Sequence, residues 1–198
     1  MDQGMDENSG LVAGPDGRLR CAWGVSTPDY VSYHDTEWGQ PVRTDDGLYE
    51  RMTLEAFQSG LSWLTILRKR PAFRTAFGNF KIKKVAGFGD ADVARLMADA
   101  GIVRNRAKID AAIANARAAL ELPDGLAALL WSFAPEPRPR PKTFADVPPS
   151  TPESTAMAKA LRKLGFRFVG PTTAYALMQA TGMVDDHLAD CFVVPVGR

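Results

Sequence analysis

The sequence predicts an all-α fold, and three observations support this prediction. Apolar residues recur at the spacing of one helical face, as Ile109, Ile113 and Ala116 do within a segment rich in strong helix formers. Residues that start helices (Asp, Ser, Thr, Pro) and residues that stop them (Gly, Pro) bound these segments. Runs with the two-residue period of a strand are few. With 198 residues, 45% of them hydrophobic, the chain can form one domain with a core, or one domain with a smaller lobe.

Helix boundaries follow from these start and stop signals. Asp45 or Asp46 begins the first predicted helix and Ser62 begins the second. Pro71 ends the second, because proline lacks the amide hydrogen that a helix interior needs. Pro152 stands at the first position of a later helix, where proline is well tolerated. The predicted helices lie at residues 45–60, 62–70, 89–101, 105–122, 124–133, 151–165 and 171–182.

Two segments are predicted to lie outside the helices. Residues 1–20 are polar, Gly-rich and slightly acidic, so we expect a disordered tail there, followed by one helical domain at 21–198. Seven prolines from Pro135 to Pro152 exclude a helix and indicate an extended connector, 135–152, between two helical lobes.

Charge and cysteine content narrow the class of protein. The net charge of +1 indicates no charged partner by itself. From Ala56 to Gly89, however, seven basic residues occur without an acidic one, which indicates either a phosphate-binding face or a solvated surface. Two cysteines cannot form a disulfide framework, and neither a signal peptide nor a membrane span is evident. We therefore expect a cytoplasmic protein that does not contact a membrane.

The cysteines and histidines form two pairs that predict a metal site. Cys21 and His34 are separated by twelve residues, and His187 and Cys191 lie four apart, on one face of a helical turn. Together they use every Cys and His of the chain, and Zn²⁺ takes four such ligands in a closed structural site. The alternative is that the two pairs never meet, and that buried histidines and inert cysteines account for them.

The segment 165–182 predicts two helices joined by a tight turn. Gly170 allows close approach of another backbone, and the helix that begins at Pro171 presents unpaired N–H groups and the positive end of its dipole. Thr172 and Thr173 add N–H and hydroxyl donors. This arrangement is typical of a helix-hairpin-helix that holds one DNA phosphate, although an ordinary corner between helices has the same glycines.

Aromatic residues and one carboxylate predict a binding pocket. Four rings fall within sixteen residues, Trp63 follows a predicted break, and Glu55 lies at the edge of an apolar helical face. Such rings are either core or the walls of a slot for a flat base. Glu55 is either a salt-bridged boundary residue or a carboxylate that accepts hydrogen bonds from a ligand. The four clustered rings are Trp23, Tyr30, Tyr33 and Trp38.

In this order, these features resemble the type I 3-methyladenine DNA glycosylases. The resemblance covers roughly residues 21–195, and the combination of motifs is highly specific. The matching stretches are C-x-W at 21–23, D-Y-x-x-Y-H-D-x-E-W-G at 29–39, L-E-x-x-Q-x-G-L-S-W at 54–63, A-G-I-x-R-x-R-x-K-I at 100–109, W-S-F at 131–133, G-F-x-F-V-G at 165–170 and V-x-D-H-x-x-x-C at 184–191.

The resemblance implies a helix-hairpin-helix glycosylase fold with a structural zinc and the excision of 3-methyladenine from alkylated double-stranded DNA, with the free base as product. Gln58 and Leu61, on a turn at Gly60, are then candidates to fill the gap left by a flipped nucleotide. The implied zinc ligands are Cys21, His34, His187 and Cys191. The implied base pocket consists of Glu55, Tyr30, Tyr33, Trp63, Trp23 and Trp38.

Two positions depart from related sequences. Phe168 stands where the wider glycosylase superfamily has the first hairpin Gly. Asp185 stands where type I members usually have Asn and where the superfamily keeps its catalytic carboxylate. Asp185 is therefore either a neutral replacement beside a zinc ligand or a carboxylate that stabilises the sugar cation.

No lysine occupies the hairpin position, near Thr173, at which bifunctional relatives place their nucleophile. We therefore expect a monomeric, monofunctional glycosylase without a lyase step. Two rival functions are a zinc-stapled module that binds DNA damage without catalysis, and a zinc hydrolase with an open, water-bearing metal site.

Overall fold

Helices dominate the structure, a computed structural model that describes residues 10–196, and the predicted helical class is confirmed. One two-stranded antiparallel sheet pairs Leu11 with Cys21 and Ala13 with Leu19. The strands are β1 (Leu11–Ala13) and β2 (Leu19–Cys21). The helices are α1 (Pro28–Thr36), α2 (Asp45–Gln58), α3 (Trp63–Ala76), α4 (Ile82–Ala86), α5 (Asp90–Ala98), α6 (Arg106–Leu120), α7 (Gly125–Trp131), α8 (Pro152–Lys163) and α9 (Pro171–Ala180).

Side-chain caps set where several helices begin. A hydroxyl or amide oxygen one residue before the helix accepts a backbone N–H from the first turn, which would otherwise lack a partner. The cap of α2 is Thr44 rather than Asp45 or Asp46. The capping residues of α1, α2, α3, α6 and α8 are Thr27, Thr44, Ser62, Asn105 and Thr151.

The prediction that Pro71 ends the second helix is wrong, because α3 continues through Pro71 to Ala76. A proline inside a helix costs about 3 kcal/mol, so tertiary packing stabilises the last turn. Phe73 is fully buried and its ring centroid lies 4.8 Å from that of Phe57. Arg74 also pairs with Glu50 of α2 at 2.8 Å.

The prediction of a disordered tail at residues 1–20 is wrong for residues 11–20, because these residues form most of a β-hairpin. The side chain of Arg20 is nearly buried, at 7% exposure, and it pairs with Asp16 at 2.7 Å and with Asp35 at 2.9 Å. These ion pairs join the hairpin to its own turn and to α1. Composition alone predicts disorder here, because it does not show that Arg20 pairs with Asp35 of α1, which is distant in sequence. Residues 1–9 of the predicted tail lie outside the described residues.

Helix α2 forms the centre of the fold and packs against α3, α6, α7 and α9. Its carboxyl-terminal half is almost wholly buried, up to Phe57. The predicted connector contains no helix beyond the 3-10 turn at Phe144–Asp146. Helices α8 and α9 pack against each other across the turn at residues 164–170. No helix within residues 10–196 has the length and apolar content needed to cross a membrane.

Candidate base-binding site

All six residues predicted to form a base pocket line one cavity of about 200 Å³. Four elements supply its walls, so the cavity lies where the amino-terminal segment meets α2, α3 and α9. Gln58 of α2 also lines the cavity, and Ala176 and Gln179 of α9 complete it. The sequence did not indicate the two residues of α9. The predicted residues in the wall are Trp23, Tyr30, Tyr33, Trp38, Glu55 and Trp63.

The aromatic walls pack against one another, and Trp23 meets two of its neighbours edge to face. The Trp23 ring centroid lies 4.9 Å from that of Trp38 and 5.8 Å from that of Tyr30, both close to perpendicular. The Tyr33 ring lies 5.4 Å from the Trp63 ring. Such pairs are stabilising beyond the area they bury, by about 0.5–1.5 kcal/mol each. The pocket therefore presents fixed π-faces to a ligand.

Glu55 lies in this pocket with 6% of its surface exposed. Burial raises the pKa of its carboxyl to about 7, and the nearby charge of Arg51 opposes the rise. Among residues 10–196, none donates a hydrogen bond to this carboxylate. The buried indole Nε1 of Trp63 likewise has no hydrogen-bond partner among these residues. The Glu55 carboxylate is thus available to a ligand as a hydrogen-bond acceptor.

An ion-pair network joins the segments that carry the pocket walls, and sequence reasoning missed it. Glu37 follows α1 and accepts hydrogen bonds from Arg51 of α2 at 2.7 Å and from Arg70 of α3 at 2.6 Å. Burial favours the neutral form of Glu37, but the two guanidinium groups outweigh it and lower the pKa of this carboxyl to about 2. Glu37 therefore remains charged and joins three elements.

The pocket opens into a groove of about 430 Å³ lined by five of the six residues predicted to contact DNA. The two cavities share Glu55, Gln58 and Ala176. Gly170 does not line the groove, although it caps α9. Leu61 is 41% exposed on the turn after α2. The five predicted groove residues are Gln58, Gly60, Leu61, Thr172 and Thr173.

Helix α6 positions the end of α2 and the turn between α8 and α9. The buried ammonium of Lys108 donates to the carbonyls of Phe57 at 2.9 Å and Ser59 at 2.6 Å, which caps the end of α2. Seven residues later, on the same face, the amide of Asn115 accepts the Arg167 N–H at 2.7 Å and donates to the Arg167 carbonyl at 3.0 Å. Both contacts lie about fifty residues apart in sequence, so no local pattern indicates them.

The turn between α8 and α9 has an unusual backbone at Phe168, which departs from the superfamily pattern. Its φ of 54° lies in the left-handed region that glycine adopts without strain. Phe168 therefore bears backbone strain that a glycine at this position would avoid, and its ring is 41% exposed.

The basic run between Ala56 and Gly89 is largely paired within the protein. Arg70, Arg74 and Lys81 each form an ion pair, and Lys69 donates to backbone carbonyls. Arg68 pairs with Asp29 as well. These contacts favour a surface of structural ion pairs over a phosphate-binding face.

Cys21, His34 and Cys191 form a buried cluster that can hold a metal ion, with ligand atoms within 4.8 Å of one another. Residues from the two ends of the chain therefore meet, as the spacing predicted. The neighbouring Cys21 thiol lowers the pKa of the Cys191 thiol below its usual range, and His34 adds to this effect. A thiolate is the form that binds metal.

His187 lies beside this cluster, with its ring centroid 5.2 Å from that of His34. Its buried Nε2 has no hydrogen-bond partner within the described part of the chain, while its Nδ1 lies 2.9 Å from Asp185. Gly39 leaves room for this ring, since a Cβ there would lie 2.7 Å from the imidazole carbon Cε1. In His34, Nδ1 lies 2.8 Å from Asp35. Both histidines thus have the carboxylate contact that orients a metal ligand.

Asp185 lies outside the pocket lining and has both carboxylate oxygens occupied. Oδ1 contacts His187, and Oδ2 accepts a hydrogen bond from Arg140 of the connector at 2.8 Å. Burial favours its neutral form, but His187 and Arg140 lower the pKa of Asp185 below its usual range.

The helical fold contains a pocket that is lined by aromatic rings around a buried carboxylate. The pocket opens into a groove beside a helix amino terminus. Such a site defines a protein that binds a flat heterocyclic ring. Over residues 23–194 the sequence matches the methyladenine glycosylase family, and the chain belongs to that family.

Comparison with known proteins gives closely similar relatives. DNA-3-methyladenine glycosylase 1 of Escherichia coli is 44% identical over 181 residues, which cover 89% of this chain and 97% of the relative. The Haemophilus influenzae DNA-3-methyladenine glycosylase is 42% identical, over 87% of this chain and 96% of its own. A solved 3-methyladenine DNA glycosylase I in complex with 3-methyladenine superposes with a TM-score of 0.85 at 34% identity, covering 90% of this chain and 99% of its own.

Proposed function

We propose that this protein is a base excision repair glycosylase that flips 3-methyladenine out of alkylated double-stranded DNA and releases it by hydrolysis. One observation carries the proposal: six aromatic and acidic residues, distant in sequence, line one pocket in which the Glu55 carboxylate has no hydrogen-bond donor among residues 10–196. Family membership and the relatives support it.

The chemistry of the substrate fits these side chains. 3-Methyladenine in DNA carries a positive charge, so it is already a good leaving group and needs little acid catalysis. Aromatic faces favour a cation, and an ionised Glu55 stabilises it further while accepting from the exocyclic amine. Water then attacks the sugar carbon as oxocarbenium character develops, the base leaves with the bonding electrons of the N-glycosyl bond, and the water that has added loses a proton to solvent.

The groove fits the DNA around a flipped nucleotide. Gln58 and Leu61 fill the gap in the duplex from the turn at Gly60, and the α8–α9 pair acts as a helix-hairpin-helix. At the amino terminus of α9, Gly170, Thr172 and Thr173 hold one phosphate through N–H and hydroxyl donors. No lysine stands in the turn 164–173, so the enzyme is monofunctional. It acts as a cytoplasmic monomer.

The metal site is a structural zinc site with His187 as fourth ligand to the cluster of Cys21, His34 and Cys191. The fit rests on the donor set and on the buried His187 Nε2, which has no hydrogen-bond partner among residues 10–196. Four protein ligands would leave no position for water, so a bound zinc ion would take no part in hydrolysis. Zinc joins the amino-terminal segment, which carries Trp23, to the segment after α9.

A base-release assay with metal analysis on the same sample tests this function. We expect free 3-methyladenine from methylated duplex DNA, together with bound zinc. Binding of damaged DNA without base release would instead favour the damage-binding module. A bound metal with an open, water-bearing position would favour the zinc hydrolase.

In this proposal, Asp185 orients His187 and does not stabilise the sugar cation. Asp185→Asn keeps an oxygen for His187, so we expect 3-methyladenine release within about threefold of the parent, whereas loss of a transition-state stabiliser costs about 10²–10³-fold. Single-turnover release rates measure this, with zinc content as the control for the neighbouring ligand. A loss near 10³-fold with full zinc content would restore the catalytic role.

A further inference from the structure

Gln179 lies in the pocket wall on α9 and is held by a buried carboxylate. Its Nε2 donates to Asp186 Oδ2 at 2.9 Å. Asp186 is 2% exposed and also accepts from the Tyr175 hydroxyl at 2.6 Å and from Arg138 at 2.9 Å. Three donors from α9 and the connector therefore fix this carboxylate.

The carboxylate decides which end of the Gln179 amide faces it. An ionised carboxylate only accepts hydrogen bonds, so the amide nitrogen must point to Asp186 and the carbonyl Oε1 must point away from it. None of residues 10–196 donates a hydrogen bond to that oxygen. The amide is thus set to act as an acceptor in the pocket wall.

We propose that Gln179 is a specificity-determining residue that accepts a hydrogen bond from the flipped base together with Glu55. The inference rests on the proposed function. Two acceptors match an exocyclic amine, which carries two N–H groups, as in 3-methyladenine. They oppose a base with an oxo group at that position, as in 3-methylguanine, because an acceptor facing an acceptor leaves both unpaired. Asp186 is the positioning residue that keeps the amide in this orientation.

Competitive release from methylated duplex DNA that contains both 3-methyladenine and 3-methylguanine tests the proposal. In Asp186→Asn the new amide can donate or accept, so Gln179 is free to turn. We expect the ratio of 3-methyladenine to 3-methylguanine release to fall about tenfold. In Gln179→Met the acceptor is lost. We expect kcat/KM to fall about tenfold for 3-methyladenine but not for 3-methylguanine.

Tyr175→Phe is the matched control, since it also removes one hydrogen bond from Asp186 but leaves the Gln179 contact intact. Its release ratio should equal that of the parent. Ratios unchanged in both test variants, or lowered equally in Tyr175→Phe, would overturn the inference while the parent still releases 3-methyladenine. If Asp186→Asn does not fold, the Gln179→Met ratio decides. A parent that releases neither base contradicts the proposed function itself.

Discussion

Glu55→Gln is expected to lower kcat/KM for 3-methyladenine release by about 10²-fold or more, while raising the free energy of unfolding at about pH 8 by about 3 kcal/mol. Glutamine keeps the shape of the side chain and one acceptor oxygen but removes the negative charge that stabilises a cationic base. The same charge is costly in the empty pocket, because burial separates it from water.

The stability gain has a defined pH dependence. Burial raises the pKa of Glu55 from 4.5 to about 7, so between these values the folded protein binds more protons than the unfolded chain. The free energy of unfolding therefore falls as pH rises through this window, by about 1.4 kcal/mol for each pKa unit. Glutamine does not titrate. The free energy of unfolding of the variant therefore exceeds that of the parent by the whole amount above about pH 7, and the two are equal below about pH 4.5.

Urea unfolding at both ends of this window, with release kinetics on the same samples, measures both effects. Glu136→Gln is the control, since Glu136 is exposed in the connector and the change should alter neither quantity. In the parent, release should weaken as pH falls below about 7, because protonation removes the charge of the acceptor. A fully active Glu55→Gln variant, or one with parental stability at high pH, would contradict the role assigned to Glu55.

Most of the fold follows from local signals, and the exceptions have a common physical cause. Caps and glycines are local, so the sequence predicts the helices from α5 onward closely. It misplaces the end of α3, because the burial of Phe73 and the ion pair of Arg74 come from contacts with α2. It misses α1, whose aromatic residues have low helix propensity and are stabilised by packing around the pocket.

The residues of the site also fall into two groups, those that the sequence indicates and those that only the structure reveals. Residue types that are rare or costly, such as the paired Cys and His or a glutamate on an apolar face, indicate the metal cluster and the pocket without a structure. The residues that hold these groups in place are ordinary in sequence. Lys108 and Asn115 sit on one face of α6, and their roles appear only when backbone from about fifty residues away meets them.

The metal cluster should have the largest effect on stability. We expect about one zinc per chain and a Tm that falls by about 10–20 °C on chelation. Cys21 and Cys191 close a loop of 170 residues, and a cross-link of that length restricts the unfolded chain by about 5 kcal/mol at room temperature. In a domain of this size, 1 kcal/mol corresponds to about 2–4 °C. Zinc bound to the folded protein should therefore act as a reversible cross-link between the two ends of the chain.

Thermal unfolding with and without a chelator, followed by zinc re-addition, measures the effect, and recovery of Tm separates metal loss from damage. Cys191→Ser should reproduce the chelated Tm and no longer respond to either reagent. His187→Gln distinguishes three ligands from four, since the loss of a fourth ligand weakens zinc binding but leaves Cys21, His34 and Cys191 in place. A His187→Gln variant with parental zinc affinity would remove His187 from the site. A parent protein whose Tm ignores the chelator and which contains no zinc would show that the buried cluster is held by packing alone.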